Sequence, residues 1–197
     1  MEISAQQVKE LRERTGAGIM DVKRALQESG GDVEKAVDLL RQKGAAKAAR
    51  LGGREAREGI VEAYIHHNGR VGVLLELNCE TDFVARTDDF KTLARELALQ
   101  IASTAPVAVH PDDVPADLIE RERAIYEAQA REEGKPPAVV PKIVEGKLKK
   151  FYQEQTLLEQ AYVRDPERRV RQLIEEVQAK LGERIAVRRF VRYEVGE

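Results

Sequence analysis

Asn68-Gly69 sits between two apolar runs, residues 60–65 and 71–78. Asparagine followed by glycine accepts the positive backbone angles of a two-residue turn, so the pair folds the chain back on itself as an antiparallel hairpin. The second run agrees with this. Val71, Val73, Leu75 and Leu77 alternate with Arg70, Gly72, Leu74 and Glu76, as a sheet with one well-buried face requires. Most other apolar residues recur at helical spacing, so a hairpin placed among them restricts the fold to the α+β class.

The first 44 residues read as three short helices. Ser4 and Gln7 have the spacing of a capping box, with Ile3 and Val8 at the staple positions around it, and Val8 and Leu11 line one face. Gly16 and Gly18 interrupt the chain before a second helix bearing Ile19, Val22, Ala25 and Leu26. Gly30 and Gly31 interrupt it again. Asp32 then caps a third helix with Val33, Ala36, Val37 and Leu40, which Gly44 is expected to close. Three such helices make a bundle of marginal size, of the kind used as a docking module.

Between residues 41 and 57, Arg41, Lys43, Lys47, Arg50, Arg54 and Arg57 face a single acid, Glu55. Residues 45–57 read as a solvated, partly helical basic linker, or as an arm for RNA or an acidic partner surface. After the hairpin, Thr87 caps a helix with Phe90, Leu93, Ala94, Leu97 and Ile101 on one stripe. Two highly charged helical stretches follow, residues 115–133 and 139–160, parted by Gly134-Lys135-Pro136-Pro137. Leu118, Ile125 and Tyr126 in the first are spaced to meet Ile143, Leu148 and Phe151 in the second, giving a projecting helical hairpin over 115–160. Asp165-Pro166 reads as the start of a further helix carrying Val170, Leu173, Ile174 and Val177, and residues 185–195 as the third strand. The expected organisation is a docking domain over 1–44, the linker 45–57, and an α+β core over 58–197 with a three-stranded antiparallel sheet.

Composition excludes several classes of function. The 33 basic and 35 acidic residues of this 197-residue chain nearly cancel, which argues against a generic polyanion binder, so nucleic acid is not an expected partner. Tryptophan is absent and aromatic residues are few, leaving little for base stacking. Cys79 is the one cysteine, so no internal disulfide framework or cysteine-rich zinc site is available. No apolar run approaches a membrane span and no signal-peptide core opens the sequence, so a cytoplasmic location is expected. Gly16-Ala17-Gly18 lacks both a preceding strand and a third glycine, and no phosphate-cradling Gly-x-x-x-x-Gly-Lys motif occurs, so direct nucleotide binding is not expected. Nothing at metal-ligand or catalytic-triad spacing appears either. The chain is read as acting by binding, with no cofactor, no metal and no covalent chemistry.

Three groups remain as candidate contacts. Asp82 and Phe83 follow the second strand. Taken alone, the acid would cap a turn and the ring would fill the core, but with Thr87 opening the next helix the pair falls in a loop, where an exposed aromatic marks contact. His66 and His67 are hairpin-turn histidines or partner contacts, and His110 has no apparent role. Cys79 is an inert buried thiol, or a bridge between two chains if subunits face each other there.

The string Glu76-Leu77-Asn78-Cys79-Glu80-Thr81-Asp82-Phe83-Val84-Ala85-Arg86 resembles the core signature of the elongation factor Ts family. A second string, residues 11–26 with Thr15-Gly16-Ala17-Gly18-Ile19-Met20-Asp21-Val22-Lys23 at its centre, resembles the family's other signature. The similarity extends through residues 145–151 and 190–197. It implies a ubiquitin-associated-like three-helix bundle and a guanine-nucleotide exchange factor for elongation factor Tu. It also assigns Thr81, Asp82, Phe83 and Val84 to a turn that dislodges the partner's Mg²⁺, and Arg12, Ile19, Met20 and Lys23 to a GTPase-docking face. His66 or His67 would match a further family contact. Many family members repeat the core in tandem and this chain has room for one copy, so a homodimer is expected, with Cys79 a possible intersubunit residue.

Overall fold

A computed structural model describes residues 3–197. It is mixed helix and sheet, with N-terminal helices, a three-stranded antiparallel sheet and further helices. The chain divides into two compact units. One takes in the chain through Val61 together with Glu76–Ala94 and Gln172–Ala186; the other comprises Glu62–Leu75, Arg95–Arg171 and Val187–Glu197.

In the first unit, α1 (Ala5–Thr15) starts at the capping box read from the sequence. Ser4 Oγ accepts from Gln7 N–H at 3.2 Å, and Gln7 Oε1 accepts from Ser4 N–H at 3.0 Å. Gly16, at φ +65°, ends this helix, and α2 (Ile19–Glu28) follows. Asp32 caps α3 (Val33–Leu51) by accepting from Lys35 N–H at 3.1 Å. Val8, Leu11, Val22, Ala25, Leu26, Ala36, Val37 and Leu40 form the core of the bundle, with Ile3 packed against it.

The helix stop expected at Gly44 is absent: α3 runs on to Leu51. A mid-helix glycine costs only about 1 kcal/mol, and two things offset it here. Ala45, Ala46, Ala48 and Ala49 are strong helix formers, and Ala48 and Leu51 are buried. A side chain at position 44 would lie 3.7 Å from the Ala179 methyl, so the glycine also sits where another helix passes close by.

The sheet has the order β1 (Glu58–Ile65), β2 (Val71–Cys79), β5 (Ala186–Glu194). The hairpin reverses between His66 and Val71 as expected, with His66 N–H donating to Val71 O at 2.9 Å. His67-Asn68, however, form the centre of the turn: Gly69 N–H donates to His66 O at 2.7 Å, and Gly69, at φ +66°, takes the positive angle without Asn68. The alternation in β2 is also present, with Val73, Leu75 and Leu77 buried and Leu74 exposed. A short helix, α4 (Asp82–Ala85), follows β2. Then α5 (Asp88–Thr104) begins behind Thr87, whose Oγ1 accepts from Phe90 N–H at 3.3 Å.

In the second unit, α6 (Ala116–Glu132) and α7 (Val140–Gln155) form the expected helical hairpin. Its apolar seam includes Tyr126, Ile143 and Leu148 of the expected stripe and is completed by other residues. Ala130, Val140, Val144 and Leu148 are buried, with Ile119, Tyr126 and Ile143 packed on them, whereas Ile125 is exposed. Residues 165–169 are corrected from helix to strand: β3 (Ala161–Tyr162) pairs antiparallel with β4 (Asp165–Arg169), Tyr162 opposite Asp165. Proline lacks a donor but is tolerated in a short edge strand, and the two-residue return through Val163-Arg164 holds Pro166 there. The helix expected from Asp165 starts at Val170 instead, as α8 (Val170–Leu181). Among the described residues, no helix is long and apolar enough to cross a membrane.

Candidate functional site

Residues 79–84 carry the chain out of β2 into α4, so the stretch read as a loop is a helical turn. Thr81 makes it one. Its backbone is extended, and its hydroxyl oxygen accepts from Val84 N–H at 3.4 Å, the geometry of an N-cap. Asp82 does not cap; it pairs with Arg86 one turn on, at 2.7 Å. Val84 is buried and anchors the turn, whereas Phe83 is 77% exposed and fills no core. Aromatic side chains bury large apolar areas in folded proteins, so a ring left in water at a fixed backbone position has no role in holding this chain together.

The turn is held from outside its own sequence. Glu183 Oε2 accepts from the backbone N–H of Glu80 at 3.1 Å and of Thr81 at 3.0 Å, and Glu183 Oε1 accepts from the Thr81 hydroxyl at 2.6 Å. Glu80 returns the bond: its Oε1 accepts from Arg184 N–H at 2.6 Å, and its carboxylate lies 3.4 Å from Arg54. Cys79, fully buried, donates its thiol to Thr81 O at 3.1 Å. Burial first, and then the Glu183 charge, push that thiol pKa up to about 11.

Arg12, Ile19, Met20 and Lys23 come together. All four line one groove of about 840 Å³ between α1 and α2, with Val8 and Lys180 also on its wall. Val22, Ala25 and Leu26 take the core face of α2, which leaves Ile19 and Met20 at its start 56% and 65% exposed. The groove thus has an apolar floor under a mainly basic rim, a match for a partner surface with apolar knobs and acidic edges.

His66 and His67 lie at the hairpin turn. His66 Nδ1 is 2.9 Å from the Tyr64 hydroxyl, and the His66 and His67 rings meet tilted at 58° with centroids 4.2 Å apart. His110 is exposed at the start of a single 3₁₀ turn, Pro111–Asp113. Among the described residues, no three His, Cys, Asp or Glu side chains gather in a set able to hold a metal ion.

Two residues of this region escaped the sequence reading. Glu183 is one of 35 acidic residues, about a hundred positions from the turn it holds, and only Gly182 before it signals a chain reversal. Lys180 lines the groove while paired with Asp89 at 2.7 Å, and nothing in its local sequence sets it apart.

Comparison with known proteins is consistent across the whole chain. The family model for Elongation factor TS matches residues 5–197. Elongation factor Ts of Thermoanaerobacter sp. (strain X514) is 60% identical over 195 residues, covering 99% of this chain and 96% of that protein. Elongation factor Ts of Fervidobacterium nodosum is 57% identical over 197 residues, covering all of both chains. That of Syntrophobacter fumaroxidans is 55% identical over 196 residues, covering 100% of this chain and 98% of that protein.

Proposed function

The chain belongs to the elongation factor Ts family, which gives it a role in translation elongation, and from that premise we propose that it is a guanine-nucleotide exchange factor for elongation factor Tu. It acts in the cytoplasm by binding the GDP-bound GTPase, disturbing its Mg²⁺ and phosphate site, and releasing GDP so that the GTP form is regenerated. The observation that carries this reading is Phe83, a ring 77% exposed on a backbone turn tied down on both sides.

A GTPase holds GDP through backbone amides around the phosphates and through Mg²⁺. A ring driven in beside the Mg²⁺ displaces the groups that support the ion, and the phosphate charge is then less neutralised. Thr81 and Val84 fix the turn, Asp82 places a carboxylate beside the ring, and Phe83 is the wedge. The groove at Arg12, Ile19, Met20 and Lys23 supplies affinity by docking on the nucleotide domain, as a ubiquitin-associated-like bundle would. His66 or His67 adds a contact at the hairpin. The factor stabilises the empty GTPase, and by reciprocity GDP and the factor weaken each other's binding. No step requires bond-making by this chain.

The active species in this reading is a homodimer, in which a second copy supplies the core repeat that tandem family members carry in one chain. Ile65, Leu74, Val191 and Tyr193 are all exposed strand residues, an apolar set that a second sheet would cover. Light scattering on a sizing column tests the pairing, and a 22.1 kDa species at micromolar concentration would rule it out.

Release of labelled GDP from elongation factor Tu tests the function. The wild-type chain should accelerate release, and Phe83→Ala should lose most of that acceleration. No acceleration by the wild type refutes the exchange reading. Full activity of Phe83→Ala refutes only the wedge.

A further inference from the structure

A ring standing in water cannot fix its own position, so the placement of Phe83 depends on what holds residues 80–84. We propose that Glu183 is a positioning residue for exchange, one that presets the Phe83 turn before any partner arrives. The inference rests on the exchange reading above.

Three donors converge on this one side chain: the N–H groups of Glu80 and Thr81 on Oε2, and the Thr81 hydroxyl on Oε1. Only an ionised carboxylate is acceptor-only on both oxygens, and its bonds are charge-assisted. The consequence reaches further along the turn. A hydroxyl has one proton, and Thr81 gives its proton to Glu183. A lone pair is thereby left for Val84 N–H at 3.4 Å, so Glu183 also sets the sense of the cap that starts the helical turn carrying Phe83.

The carboxylate is itself held in place. Gly182 N–H donates to Gln178 O at 2.8 Å, and Ile185 N–H donates to Gln178 Oε1 at 2.8 Å. The Arg184 N–H bond to Glu80 runs in the opposite direction to those Glu183 receives, so the two segments grip each other reciprocally. Glu183 touches neither nucleotide nor Mg²⁺ in this scheme; it acts through the geometry of residues 80–84.

The test compares wild type, Glu183→Ala and Glu183→Gln, each with Phe83 and with Phe83→Ala. GDP release from elongation factor Tu is measured against factor concentration. Glu183→Ala should lower the saturating release rate about tenfold while the half-saturating concentration, set by the groove, moves less than about twofold. Glu183→Gln, which keeps an oxygen for the two N–H groups, should stay within about threefold of wild type. In the Phe83→Ala background, Glu183→Ala should cost nothing further. A saturating rate for Glu183→Ala equal to wild type overturns the proposal, and so does an equal loss in both backgrounds, which a merely structural role would produce.

Amide hydrogen exchange at Glu80 and Thr81 reads the same clamp without any partner. Both amides should exchange at least about tenfold faster in Glu183→Ala, and unchanged rates overturn the proposal. If the wild type fails to release GDP, the exchange reading falls while this arm still decides the clamp. Should Glu183→Ala not fold, Glu183→Asp, which keeps the charge but draws the carboxylate back by one methylene from all three donors, is held to the same outcomes.

Discussion

The side-chain amide of Gln178 donates to the carbonyl of Ala48 at 2.9 Å, across 130 positions of sequence. That carbonyl lies near the end of α3, where Gly52 N–H turns to Ala49 instead. The same side chain accepts from Ile185 N–H, so one buried amide ties α3, α8 and the entry to β5 together. Gln178→Leu keeps the volume but leaves a buried donor and a buried acceptor without partners. It should lower the free energy of unfolding by about 2–4 kcal/mol. Urea denaturation measures this, and a loss under about 1 kcal/mol would mean that water replaces the amide.

Two glycines with positive φ should respond very differently to alanine. At Gly69 a methyl group meets nothing within 4 Å, so Gly69→Ala should cost only the backbone term, about 1–2 kcal/mol. At Gly59, with φ +151°, the methyl would lie 2.1 Å from Leu77 O. No side chain there can give way, and Gly59→Ala should cost roughly 3 kcal/mol or more by prising β1 from β2. Thermal melts of the two variants side by side show whether the order holds.

Cys79 should be a poor nucleophile in the folded chain. Its thiol pKa is raised to about 11 from an ordinary value of 9.0, chiefly by burial. At pH 8 this lowers the thiolate fraction about a hundredfold, before access is considered. Titration with a chromogenic disulfide should be slow in buffer and fast in urea; rapid stoichiometric reaction in buffer would show that residues 79–84 open readily. Above the ordinary thiol value the unfolded chain gives up the proton that the folded chain keeps. The folded state then binds more protons, and this group's contribution to stability falls as pH rises toward 11.

Ile19, Met20 and Phe83 should be nearly silent in stability measurements. All three are largely exposed, so alanine at each should change the unfolding free energy by no more than about 0.5 kcal/mol. Ile19→Ala with Met20→Ala should instead raise the half-saturating concentration for GDP release about tenfold, since exposed apolar anchors act through a partner. A melting temperature that falls along with activity would place these side chains in the core.

The features legible in the sequence are those decided within a few residues: the Ser4–Gln7 box, the Asp32 and Thr87 caps, and the chain reversal around Asn68, whose Oδ1 accepts from Arg70 N–H. Each depends on a side chain bonding its own neighbourhood. The features missed were decided at a distance. Gly44 stops no helix because Ala48 and Leu51 beyond it are buried, and Asp165-Pro166 becomes a strand because Ala161-Tyr162 stands beside it. The candidate site divides the same way. Phe83 stood out by type and place, whereas Glu183 reaches Thr81 across 102 positions, with a partner that no periodicity could reveal.

The α6–α7 seam has a consequence for the order of assembly. Its contacts lie within about forty residues of sequence, and those of the α1–α3 bundle are just as local. Local contacts close loops at small entropic cost and form early. The sheet is different: β2 lacks its second neighbour until Ala186–Glu194 has been made. As the nascent chain lengthens, the bundle and the arm can therefore be complete while β2 still has an open edge. Glu183, just ahead of β5, arrives almost as late, so the Phe83 turn is among the last parts of the molecule to be set.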